Sequence, residues 1–282
     1  TMKTSPLVSI NIRTYNSGET LRATLESIKK QSYKNIEIVV SDGHSTDDSV
    51  VVAREFNARV DFADKLGDAR HQNYKRSLGK YVFSVDSDQI LDRKLAEVCV
   101  HECEVNKYSA LIIAEKSVLK SGTLLEKLLQ YERWLIHQTK SVDPVFGTAC
   151  PRFFEKSLLA DVKWPEGISI FDDTILYSEL LKKGARIAYI SDQFIRHSEV
   201  TTWSVLMKKF YRYGKGYFRA LKRDPSTIVA HSLPRTSYFS KAALAKPHYF
   251  LGLILIYFVK ASAASLGALS SVLSSIFSKN KI

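Results

Sequence analysis

Acidic side chains are almost missing from the last third of this 282-residue chain. After residue 198 only Glu199 and Asp224 are acidic, against thirteen lysines and arginines, whereas the first 198 residues balance 28 basic with 27 acidic side chains. The formal net charge of +12 is therefore a property of the tail. Such an excess suits an anionic partner, either nucleic acid or membrane head groups. Cysteine is also scarce. Cys99, Cys103 and Cys150 form no CxxC pair and are odd in number, which argues against a disulfide framework or zinc module and makes a reducing compartment the default. No glycine-rich phosphate loop of familiar spacing is present, since Gly43 and Gly67 stand alone. With 45% hydrophobic and 25% charged residues, the composition is that of an ordinary folded protein.

What is present first is alternation. Val8 to Ile12 reads as a strand, followed by turn residues Asn16-Ser17-Gly18 and a helix from about Glu19 to Lys30 with Leu21, Leu25 and Ile28 on one face. Ile36 to Val40 is a second strand; Ser45 or Thr46 can cap a helix to about Phe56. A strand at Arg59–Phe62, a helix at Asp68–Ser77 and a strand at Tyr81–Val85 complete a βαβ series. The expectation is an α/β fold with a mostly parallel central sheet flanked by helices. Ligands bind such sheets beyond the carboxyl ends of the strands. Polar clusters fall there: Thr14-Tyr15-Asn16, Asp42 and Asp86-Ser87-Asp88.

The middle is less regular. Asp92 is read as the cap of a helix to about Asn106, and Ala110–Ala114 as a strand. A helix runs from Thr123 to about Thr139, another from Phe171-Asp172-Asp173 to about Lys183, and Gly184 stops the latter before a strand at Arg186–Ile190.

Asp86-x-Asp88, just past a buried strand, would put hard oxygen ligands on a cleft rim. Mg²⁺ or Mn²⁺ held by one or two carboxylates keeps positions open for substrate phosphates. Asp172 and Asp173 open a helix, where acids are favoured by the helix dipole and a carboxylate can also remove a proton from a hydroxyl. Arg70 is a cation that could neutralise a leaving diphosphate. His44, His71, His101 and His137 have no ligand spacing, Cys99 and Cys103 share one helical face, and Tyr131 with Trp134 could border an acceptor site, though an aromatic stripe at helical spacing is more often core.

These residues resemble glycosyltransferase family 2. Val8 to Asn16 is similar to its opening strand, Val39 to Asp47 to its second-strand motif, and Gly67-Asp68-Ala69-Arg70 followed by Gly79 to Asp88 to its run into Asp-x-Asp. Phe171-Asp172-Asp173, then Gly184 to Ile187 and His197, matches the acceptor-side acidic motif and late histidine. The resemblance spans about residues 7–198. It implies a GT-A-like domain that binds a nucleotide diphosphate sugar, UDP- or GDP-linked, uses Mg²⁺ or Mn²⁺, and transfers the sugar with inversion. On that reading Thr14 and Asn16 lie near the nucleotide and Asp42 accepts from its base. Asp86 approaches the ribose or metal, Asp88 holds the metal, Asp173 is the general base, and His197 is a further metal or phosphate contact. Arg13 stands where proline is common and Glu179 where arginine is common. A nucleotidyltransferase or sugar pyrophosphorylase, or an inactive sugar-binding protein on the same fold, is the alternative.

The tail reads differently. From Trp203 to Arg223, Trp203, Leu206, Phe210, Tyr213, Tyr217 and Leu221 recur at helical steps, and Lys208, Arg212, Lys215, Arg219 and Lys222 line a different face, as in an interfacial helix or one docked on the catalytic domain with a solvated basic face. Residues 249–277 are nearly unbroken apolar sequence, with Lys260 the sole charge. About 20 such residues can span a bilayer. The expected organisation is a catalytic domain over 1–198 and a basic amphipathic and hydrophobic helical extension over 199–282. That extension would hold the chain on the cytoplasmic face of the cell membrane, as a peripheral, monotopic or single-span protein, near a lipid-linked or glycan acceptor. The bulky apolar face argues against nucleic acid.

Overall fold

The computed structural model describes residues 5–64, 66–138, 140, 142, 149–165, 167–168 and 170–279. The chain forms two units, one of Thr1–Lys116, Ala149–Ser169 and Leu176–His197, the other of Ser117–Thr148, Ile170–Ile175 and Ser198–Ile282. The elements in chain order are β1 (Val8–Thr14), α1 (Gly18–Lys29), β2 (Ile36–Asp42), α2 (Ser49–Glu55), β3 (Arg59–Phe62) and α3 (Leu66–Arg76). Next come β4 (Tyr81–Asp86), β5 (Gln89–Leu91), α4 (Leu95–Val105), β6 (Ala110–Val118), α5 (Leu124–Gln138) and β7 (Phe153–Glu155). The chain continues through α6 (Asp172–Lys182), β8 (Ile187–Ser198), α7 (Trp203–Arg223), α8 (Pro225–Ser232), α9 (Lys241–Leu244) and α10 (Pro247–Lys279). Thr139, the expected end of α5, lies outside the described residues.

The eight strands form one sheet in the order β3-β2-β1-β4-β7-β6-β8-β5. β1 runs parallel to β2 and β4, and β2 to β3. β7 is antiparallel to β4 and β6, and β5 to β8. The mostly parallel sheet is thus mixed, because the helical crossovers that enforce parallel pairing serve only the first four strands. Val8, Ile10 and Ile12 of β1 are fully buried with Leu21 and Leu25 of α1 and Phe83 of β4. Each such side chain contributes about 1.5–3 kcal/mol of transfer free energy. The register sets Thr14 opposite Asp42 and Arg13 opposite Asp86, which aligns three strand ends at one level.

Some local readings change. Asp48, not Ser45 or Thr46, precedes α2 as its cap residue, and Lys94, not Asp92, precedes α4. Asp92 instead accepts from the Phe194 amide and pairs with Arg196 at 2.9 Å. β8 continues to Ser198 through the polar Ser191-Asp192-Gln193, because pairing with β5 satisfies its far end. Gly184 ends α6 with φ +72°, as a helix stop requires. Cys99 and Cys103 are free thiols buried in the core on α4.

In the second unit, Thr202 caps α7 through its hydroxyl and Asp224 caps α8 ahead of Pro225. α7 and α10 cross at glycines. A Cβ on Gly214 would lie 1.8 Å from the Ala264 carbonyl oxygen, and one on Gly267 would lie 2.0 Å from that of Tyr211. Tyr131 is buried and donates to the Ala242 carbonyl, whereas Trp134, stacked on it, is exposed. Among the described residues α10 is the one helix long and apolar enough to cross a membrane, by length and composition.

Candidate active site

The site grows from the carboxyl ends of β1, β2 and β4. Thr14 closes β1 almost wholly buried, and its Oγ1 has no hydrogen-bond partner among the described residues. Asn16, left-handed at φ 47°, ties two turns together: its amide donates to Ser45 Oγ at 2.8 Å, and its Oδ1 accepts from the Thr46 amide at 2.8 Å. Asn tolerates that conformation better than most side chains. Asp42 ends β2 fully buried, and its two oxygens take the Ser45 amide at 2.7 Å and Ser45 Oγ at 2.6 Å. Both carboxylate oxygens of Asp42 are thus engaged within its own turn.

Beneath these ends lies a buried polar layer. Ser41 Oγ donates to Asn73 Oδ1 at 2.6 Å, and Asn73 Nδ2 donates to the Ile12 carbonyl at 2.9 Å. Arg70 of α3 reaches Ser84 Oγ at 2.7 Å. His71 stacks on Trp164 at 4.8 Å, a packing role that agrees with its lack of ligand spacing.

Asp86 and Asp88 have different surroundings. The Asp86 carboxylate lies between two guanidiniums, with Oδ1 3.3 Å from Arg13 Nη2 and Oδ2 3.1 Å from Arg152 Nη1. Burial would raise its pKa, but Arg152, Arg13, Arg70 and His197 outweigh that and hold it well below the usual carboxylate range. Arg152 is itself gripped by Glu115, whose Oε1 accepts from Nε at 3.1 Å and lies 3.0 Å from Nη2. Asp88, half-exposed in the turn between β4 and β5, pairs through Oδ2 with His197 Nε2 at 3.3 Å. The antiparallel register of β5 and β8 sets His197 opposite Gln89, which delivers a residue from far along the chain to this turn.

Of the residues expected to hold a metal, the structure thus brings Asp88 and His197 together and commits Asp86 to arginines. Among the described residues no group of three His, Cys, Asp or Glu side chains is arranged to hold a metal ion. The half-exposed Asp88 carboxylate still fits Mg²⁺ or Mn²⁺, which take few protein ligands and complete their shells with water and substrate phosphates, and the His197 imidazole beside it suits Mn²⁺ better than Mg²⁺. Sequence reasoning missed Arg152 and Glu115, 37 residues apart; only Arg13 left a trace, as a departure from a common proline. Asp172 and Asp173 lie in the first turn of α6, Asp172 buried and Asp173 with Oδ1 2.9 Å from the Thr174 amide. Phe171, just before them, adopts φ +63°, which a bulky residue rarely holds.

Residues 9–154 match the family model "Glycosyl transferase family 2". The chain is 32% identical over 214 residues to glycosyltransferase GlyG of Streptococcus pneumoniae, covering 67% of this chain and 69% of that protein. It is 38% identical over 88 residues to the UDP-Glc:alpha-D-GlcNAc-diphosphoundecaprenol beta-1,3-glucosyltransferase WfaP of Escherichia coli, covering 29% of this chain. It spans only 35% of WfaP, and 19% of a chondroitin synthase from the same organism. In fold it resembles the mannosyltransferase PcManGT of Pyrobaculum calidifontis, solved with GDP-Man and Mn²⁺, at a TM-score of 0.62 and 15% identity over 98% of this chain and 89% of that one. The match does not favour the nucleotidyltransferase alternative. With the family model covering more than half its length, and with a GT-A-like α/β sheet, this chain belongs to glycosyl transferase family 2.

Proposed function

We propose that the protein transfers a hexose, with inversion, from a UDP- or GDP-linked sugar to a lipid-linked acceptor, a polyprenyl or dolichyl phosphate or a lipid-linked glycan. The observation that carries this reading is that Asp42 and Asp86 end β2 and β4 on either side of β1, with Asp88 in the turn just past β4 and with Arg13, Arg70 and Arg152 around Asp86. The nucleoside would lie on the turns built by Thr14, Asn16 and Asp42, where the unpartnered Thr14 hydroxyl awaits a polar group. Asp88 and His197 would hold a divalent cation, which when bound neutralises charge on the departing diphosphate. The arginines add fixed positive charge around the same leaving group. Asp173 would take the proton from an acceptor hydroxyl. The acceptor class is supported by the diphosphoundecaprenol in the name of WfaP and by the apolar tail.

The tail would hold the enzyme on the cytoplasmic face of the membrane, lying on it rather than crossing it. α10 is pinned to α7 by the Gly214 and Gly267 crossing and to α5 by an ion pair between Lys260 and Glu132. Its opposite face leaves Leu251, Leu255, Phe258, Leu266, Leu269 and Leu273 exposed, while Lys208 and Arg212 border the groove beside Phe258. An apolar stripe flanked by cations suits an anionic lipid surface.

Thermal shifts with UDP and GDP, each with and without Mn²⁺, test the donor reading. One nucleotide should raise the melting temperature, more so with Mn²⁺, by mass action. No shift with either would refute the assignment. For the tail, the full chain should sediment with anionic vesicles at low salt; binding lost entirely on that surface would leave the anchoring idea without support.

A further inference from the structure

We propose that Arg152 is a positioning residue that withholds Asp86 from the metal until a donor diphosphate arrives, so that cation and nucleotide bind as a coupled pair. This rests on the metal-assisted reading above and concerns how that site is loaded. Arg152 stands just before β7 and is fixed from both sides: its amide donates to the Leu111 carbonyl of β6 at 2.9 Å, and its carbonyl accepts from the Ser84 amide of β4 at 2.7 Å. Glu115 of β6 then aims the guanidinium at Asp86. The result is a row of alternating charge, Arg13–Asp86–Arg152–Glu115, in which every member is at most one-third exposed.

A dication needs carboxylate lone pairs and is repelled by nearby guanidiniums. In this arrangement each oxygen of Asp86 faces an arginine, so Asp88 and His197 are the two ligands that the rim can offer. A nucleoside diphosphate changes both sides of that balance. Its oxygens can serve as metal ligands, and they give Arg152 and Arg13 an alternative anion to Asp86. Binding of each partner then favours the other, and by linkage the two enhancements must be equal.

Electron paramagnetic resonance of Mn²⁺ with the full-length chain tests this without any turnover. In the wild type, Mn²⁺ should bind at least about tenfold more tightly with saturating UDP or GDP than without, within the usual range of coupling between sites. Arg152→Gln should tighten nucleotide-free Mn²⁺ binding by about tenfold and shrink the coupling by the same factor. Arg152→Lys, which keeps the charge, should stay close to wild type. A purely structural role would make Lys and Gln behave alike. If Arg152→Gln is poorly folded by circular dichroism, the double variant Arg152→Gln/Glu115→Gln removes both charges of the pair and should show the same tightening. The proposal is overturned if folded variants lacking the Arg152 charge leave nucleotide-free Mn²⁺ binding unchanged or weaker, or if wild-type Mn²⁺ affinity is indifferent to nucleotide. Absence of Mn²⁺ binding under every condition would overturn the metal-assisted reading itself, and this proposal with it.

Discussion

Lys260, midway along the apolar helix α10, places its Nζ 2.5 Å from Glu132 Oε2 on α5. Both side chains are nearly buried, Tyr238 donates to the same carboxylate, and the ammonium also lies over the Phe210 ring at 5.2 Å. A lysine that looks costly in an apolar run is here one half of an internal ion pair. Removing one partner of such a pair strands the other, at a cost of roughly 3–5 kcal/mol. Lys260→Met should therefore lower the melting temperature, by about 2–4 °C for each kcal/mol lost in a protein of this size class. An unchanged melting temperature would show that the pair is not formed.

The same pair sets a pH dependence. Burial would raise the Glu132 pKa, but Lys260 first and Arg235 next outweigh it, lowering it from the ordinary 4.5 to about 2. A depressed carboxylate stabilises the fold above its ordinary pKa and loses that contribution as pH falls through the folded value. The stability gap between wild type and Glu132→Gln should thus be constant above about pH 4.5 and close between there and about pH 2. Parallel acid titrations by circular dichroism would reveal it.

How much of this was legible depends on range. β3 and α7 have the bounds that periodicity gives, because alternation and helical spacing are local signals. Asp42 and Asp86 are found at strand ends for the same reason. β5 and β7, three residues each, carry no pattern of their own and exist through their partners. The extension of β8 past Ile190 depends on β5, and it is what brings His197 to Asp88. Ser45 reads as a helix cap from its type, yet its hydroxyl is committed to Asp42 and the Asn16 amide. Arg13, Arg152 and Glu115 are ordinary charges in sequence; only the sheet order β1-β4-β7-β6 makes them neighbours.

Asp88 is half-exposed in a turn, so its side chain contributes little to the fold and much to whatever binds there. Asp88→Ala should melt within about 0.5 kcal/mol of wild type, as surface substitutions do. Transfer should fall by about 10²-fold or more, the scale of losing a group that stabilises transition-state charge. The extra thermal shift that Mn²⁺ gives with nucleotide should vanish as well. Full activity in this variant would remove Asp88 from the metal site.

The crossing of α7 and α10 makes a separate prediction. Gly267→Ala would press a methyl against the Tyr211 carbonyl carbon and oxygen, and both are backbone atoms that cannot rotate away. Overpacking of this kind costs typically 1–3 kcal/mol. Ser265→Ala, two residues earlier and exposed, should be neutral. Equal melting temperatures for the two variants would mean that the helices do not approach this closely.

Asp173→Asn separates chemistry from structure on α6. In the first helical turn the lost charge costs about 0.3–1 kcal/mol through the helix dipole, so the fold should persist. Nucleotide affinity should be unchanged, because a general base acts on the acceptor. With a hydroxyl acceptor kcat should fall by about 10²–10⁴-fold, the range for losing a positioned base. A phosphate acceptor arrives already ionised and has no proton to give up, so with polyprenyl phosphate the same variant should lose less than about tenfold. Comparing the two acceptor classes on one variant therefore reads out both the role of Asp173 and the nature of the group it serves. A variant with full kcat on every acceptor would leave Asp173 with only its place in the helix turn.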